Sequence, residues 1–183
     1  MMGLGSVPDF LSMRWDAARP RLRLAIGALI VALVGLAGLT PKALFGVPLT
    51  WPYVSLIAAV GWGRSGLAFG PIILLVLFGF AQDASQAPWG SHGLANLLTF
   101  GLAVVVSQTF DGDRGSGAGF ELPLACLFAG VALVWAIASI AVGHAVRVTP
   151  MLAAYFATVI IYMLMAPLFD LGIRRGLRGG AAA

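Results

Sequence analysis

Long apolar runs separated by short polar breaks fill almost the whole chain: Leu22–Leu39, Ala43–Gly61, Gly66–Gln82, His92–Phe110, Phe120–Gly143 and Val148–Leu171. An apolar helix of about 20 residues matches the hydrocarbon core of a bilayer, roughly 30 Å thick. The runs are continuous rather than alternating, which argues for helices and against a membrane barrel. With 60% hydrophobic and 10% charged residues and a mean hydropathy of +0.97, 183 residues cannot hide this much apolar surface in a soluble domain. The expected fold is an all-α polytopic membrane protein with six transmembrane helices in one bundle. Residues 1–21 form an N-terminal segment, 22–171 the six-helix domain, and 172–183 a basic tail. The first run is expected to be a retained helix, because no Ala-x-Ala cleavage site follows Gly38.

The charges set an orientation. Arg14, Arg19, Arg21 and Arg23 precede the first run, and Arg174, Arg175 and Arg178 follow the last. With six spans both clusters lie on one side, together with Arg64 and Arg114; Lys42 and Arg147 lie on the other. The positive-inside rule makes the arginine-rich side cytoplasmic, and with it both termini, as expected of a polytopic inner-membrane protein. The net charge of +4 is therefore membrane-flanking, and nucleic acid is not an expected partner. On this frame Trp51, Tyr53 and Trp89 fall at the outer interface, and Trp15, Trp62 and Phe110 at the inner one. Phe10, Leu11, Trp15 and Ala18 fit one face of a short interfacial helix, and a disordered tail fits them equally. The second run carries Pro48 and Pro52, so its helix is expected to start near Pro48 or to enter kinked.

One polar constellation interrupts this pattern. In Gly79–Leu94, GFAQDASQAPWGSHGL, Asp83 closes the third run and His92 opens the fourth. A carboxylate at a helix C-terminus faces the negative end of the helix dipole and needs donors. The free N–H groups at the start of the fourth helix and the ring N–H of His92 are the candidates. Pro88 stiffens the connection, Gly90 permits a tight turn, and Ser91 is placed to cap the fourth helix. Gln82, Gln86 and Asn96 add hydrogen-bonding groups. Two uses of such a knot stay open: a lock on the hairpin, or a contact for a ligand or partner.

The spacing Gly79-xxx-Asp83-xxxx-Pro88-x-Gly90-x-His92-x-Leu94 resembles the signature of the MreD family of rod shape-determining proteins. Chain length, span count, arginine-rich ends and Pro52 at the second span fit the same family. The sequence departs from it at Gly93, where alanine is commoner, and in the polar Gln82 and Gln86. The resemblance implies a non-enzymatic component of the cell-elongation machinery, without cofactor. It also implies an MreC-like bitopic partner, with RodA, a transpeptidase and the MreB filament in the same assembly. The helix arrangement it implies is similar to the S-components of energy-coupling-factor vitamin transporters.

An S-component itself is the alternative function. Asp83, His92, Asn96, Trp89 and Trp51 would then line an outer ligand pocket, although Gln108 and Thr99 are thin equipment for a polar vitamin. An intramembrane protease has two fragments in its favour, Gly63-Arg64-Ser65-Gly66 and His92-xxx-Asn96. Their order is reversed, and the topology separates Ser65 from His92 by roughly 30 Å. Ser65 reads more simply as a cap for the third helix. The Asp111–Glu121 loop does not follow calcium-loop spacing, and two histidines without a ligand pattern build no metal site. Asp170 is expected to pair with Arg174 at i, i+4. Cys126 reads as a packing residue. Gly66 and Gly70 are candidates for close helix packing.

Overall fold

The computed structural model describes residues 18–38, 43–44, 47–48, 51–65, 69–84, 89–109 and 118–171. They form six helices: α1 (Pro20–Gly38), α2 (Val54–Gly63), α3 (Phe69–Asp83), α4 (Ser91–Thr109), α5 (Ala118–Val142) and α6 (Val148–Phe169). A two-residue antiparallel ladder, β1 (Ala43–Leu44) with β2 (Val47–Pro48), lies between α1 and α2. Three helices are long and apolar enough to cross a membrane: α1, α5 over Glu121–Val142, and α6. The α2 and α3 helices are apolar but shorter. This is the chemistry of a membrane-embedded helical protein.

The second helix departs from expectation. It does not start near Pro48, which pairs in β2; it starts at Val54, after Pro52. The chain at 51–53 is not helical, consistent with the absent N–H of Pro52 and the extended bias of the residue before a proline. The result is a 10-residue helix at the centre of the bundle, packed on all five others. Every α2 residue except Gly61 is buried, which explains why its sequence has no polar face. Trp62, expected at an interface, is wholly buried, edge-on to Phe169 with ring centroids 6.2 Å apart. The protein interior, rather than the headgroup region, takes this ring.

Glycines set how closely the helices approach. A Cβ on Gly61 would fall 2.5 Å from Cβ of Phe169, and one on Gly63 would fall 2.8 Å from the carbonyl oxygen of Phe100. Pro71 and Pro150 both sit in first turns, where no intrahelical N–H is lost. Gly143, at φ +73°, closes α5 in a left-handed conformation.

Charge also ties α1 to the bundle. Arg23 is only 3% exposed, and its Nη1 donates to the carbonyl of Asp170 at 3.1 Å. Arg23 thus leaves the flanking cluster that the sequence suggests and clamps the start of α1 to the end of α6. The tail at 172–183, Arg174 and its expected pairing with Asp170, and the N-terminal segment up to residue 17 lie outside the described residues.

Candidate functional site

The C-terminus of α3 meets the N-terminus of α4 through one carboxylate. Asp83 is 1% exposed. Its Oδ1 accepts from the Ser91 hydroxyl at 3.0 Å, the His92 backbone N–H at 3.0 Å and His92 Nδ1 at 2.8 Å. Its Oδ2 accepts from the backbone N–H groups of Gly90 at 3.0 Å and Gly93 at 3.4 Å. Three of the five donors are the orphan N–H groups around the start of α4. The carboxylate that ends one helix therefore caps the next, and the positive end of the α4 dipole offsets the negative end of α3. Five donors suit an ionised, acceptor-only carboxylate.

Local geometry makes this possible. Gly90 adopts φ +88°, a region that side chains strain to enter, and so turns its N–H toward Asp83. Gly79 lies against the backbone of Gly93, where a Cβ would overlap the Gly93 Cα. The α3 and α4 backbones touch one turn below the carboxylate.

A polar layer surrounds the lock. The His92 ring lies 5.7 Å from the Tyr53 ring, tilted by 44°. The Tyr53 N–H donates to Thr158 Oγ1 at 3.0 Å, which joins the start of α2 to α6. Ser55 donates to Gln82 Oε1 at 3.1 Å, and Asn96 Nδ2 donates to the Leu75 carbonyl at 3.2 Å. Tyr53, Ser55, Gln82, His92 and Thr158 thereby connect α2, α3, α4 and α6 at one level.

The signature residues fall into place unevenly. Gly79, Asp83, Gly90 and His92 form the lock. Leu94 takes no part in it and points outward, 48% exposed. Pro88 and Gln86 lie outside the described residues. Gly66 does too, while Gly70 meets Leu24 of α1, 3.0 Å from where a Cβ would stand. Ser91 caps nothing; it donates to the residue that does. Ser65 does not cap α3 either, since its hydroxyl bonds back to the Trp62 carbonyl at the end of α2. That end of α2 contacts Phe100 and Ala103, well along α4 from His92, so no Ser65–His92 dyad forms. Among the described residues no group of three or more His, Cys, Asp or Glu side chains gathers to hold a metal.

Tyr53, Ser55 and Thr158 are the layer residues that sequence reading misses as a site. Each sits in an apolar run with nothing local to mark it, and only tertiary packing brings the three together. Comparisons with protein-family models, with curated proteins and with solved structures return no match.

Proposed function

We propose that this chain is a six-span, non-enzymatic scaffold of the bacterial cell-elongation machinery, an MreD-like protein that binds a bitopic MreC-like partner. RodA, a transpeptidase and the MreB filament complete the assembly this reading implies. The observation that carries it is the lock: of the six residues that carry the resemblance, Gly79, Asp83, Gly90 and His92 build one helix junction, with Gly90 and His92 bonded to the buried Asp83 carboxylate and Gly79 packed against Gly93 one turn below it. The donors saturate Asp83 and tie it to backbone, an arrangement suited to holding a shape rather than to turning over a substrate. Both termini are cytoplasmic on this reading, as the arginine distribution favours.

The α4 helix offers the face for the partner's span. Leu94, Leu98, Gly101 and Val105 follow the 4-3-4 spacing of a helix-packing seam, and all four are exposed. The other described glycines of the helix interiors mostly press on a neighbour, but a Cβ on Gly101 meets nothing within 4 Å. A glycine in mid-helix costs about 1 kcal/mol relative to alanine, and this one returns nothing to the fold. Close approach of a second helix would use it.

The test is Gly101→Leu in the tagged protein. The expected result is loss of the co-purifying bitopic partner with thermal stability unchanged or raised. Full retention of the partner rejects this face. Topology reporters on both termini should read cytoplasmic, and a periplasmic reading from either rejects six spans.

A further inference from the structure

The helices of this bundle differ in apolar height. The α6 helix has 22 residues, Val148–Phe169, and the apolar stretch of α5, Glu121–Val142, also has 22. Each amounts to roughly 33 Å, enough for a bilayer core of about 30 Å. The α3 helix has 15 residues, Phe69–Asp83, or roughly 22 Å. Its whole apolar run, Gly66 through Ala81 between Ser65 and Gln82, reaches only roughly 24 Å on a helix. Tilting would shorten it further.

The exposed side of α3 is nonetheless fully apolar, with Phe69, Ile73, Leu77 and Phe80 along it. The lock prevents the usual escape. A short span can rescue itself by letting terminal polar groups reach up to the headgroups. Asp83 cannot, because five hydrogen bonds hold it in the protein. At the start of the next helix Gly90 is bonded to the same carboxylate, and α4 begins at Ser91, so the two helix ends lie at one level. Trp89, 73% exposed, stands beside Gly90 at this same level. Its amphipathic ring suits a headgroup boundary, not the middle of an acyl leaflet.

We infer that the α3 flank binds a locally thinned bilayer: lipid headgroups descend to the Asp83–Trp89 level there, while the α5–α6 flank carries a bilayer of ordinary thickness. The recognised partner is a short-chain or compressed phospholipid leaflet. The inference rests on the proposed six-span reading, in which α3 crosses the membrane, and not on any protein partner, so loss of the partner proposal leaves it standing.

The full chain is reconstituted in monounsaturated phosphatidylcholine vesicles with acyl chains from fourteen to twenty-two carbons, and unfolding is followed by heat. Stability should peak at fourteen to sixteen carbons and fall by about 5 °C or more toward the longest chains. A peak at eighteen carbons or beyond, or no dependence on length, overturns the inference. The local readout is fluorescence quenching by brominated lipids in eighteen-carbon vesicles, taken as the difference between wild type and Trp89→Phe. Trp89 should be quenched best by bromines nearest the headgroup. Strongest quenching by bromines near the chain end would place Trp89 deep in an undisturbed leaflet and overturn the inference even if stability followed chain length.

Discussion

Asp83 and His92 are joined twice: the ring Nδ1 and the backbone N–H of His92 both reach Oδ1 of Asp83, at 2.8 and 3.0 Å. The backbone bond caps a helix and needs only a carboxylate. The ring bond adds a side chain that lies against Tyr53 at the start of the central helix. One acid thus coordinates the α3–α4 hairpin with the short helix that all others surround.

Asp83→Ala removes the acceptor for five donors, most of them buried. It should lower stability in detergent by roughly 3–5 kcal/mol, as loss of one member of a buried charged network does. Asp83→Asn keeps one carbonyl oxygen and should cost less, about 1–3 kcal/mol. Thermal unfolding of the purified variants measures both, and an unchanged midpoint for Asp83→Ala contradicts the lock.

His92→Ala leaves the backbone cap in place and should cost about 1–2 kcal/mol. Because the ring and the carboxylate share one network, the double variant Asp83→Ala/His92→Ala should fall short of the summed losses by about 1 kcal/mol or more. Additive losses would show that the ring contributes nothing through Asp83.

Gly79→Ala places a methyl group on the Gly93 backbone. The α3 and α4 backbones must separate, at a cost of about 1–3 kcal/mol. Gly101→Ala meets open space and should be neutral or stabilising by up to about 1 kcal/mol. The two substitutions are chemically identical, so parallel melting curves isolate the effect of helix contact.

Thr158→Val removes the acceptor for the Tyr53 N–H while keeping the shape of the side chain. The start of α2 then loses one of its few external bonds, and a loss of about 1–2 kcal/mol is expected. Hydrogen exchange at the Tyr53 amide should rise with it. Unchanged protection there would show that α6 does not hold α2.

Much of this architecture is legible in the sequence because the signals are local. Apolar runs mark helices, and each of the six runs overlaps one. The acid-to-N-terminus bond was readable as a need: a carboxylate at a helix end, an imidazole nine residues on, and free N–H groups nearby. What sequence periodicity does not carry is which helix is surrounded. The prolines of the second run announce a late or kinked start, but not that it shortens to a ten-residue helix with nine residues buried. Trp62 reads as interfacial until Phe169 and Gly27 are seen against it. Tyr53 and Thr158 lie 105 residues apart, and no spacing rule connects them.

The most direct test of the scaffold reading is affinity purification of the tagged chain from its native membrane in gentle detergent, with identification of what accompanies it. A bitopic MreC-like protein should be recovered together with a RodA-type glycosyltransferase or a cell-wall transpeptidase. Recovery of paired ATPases with a coupling membrane subunit would contradict it and make the layer around His92 the ligand site of a vitamin transporter.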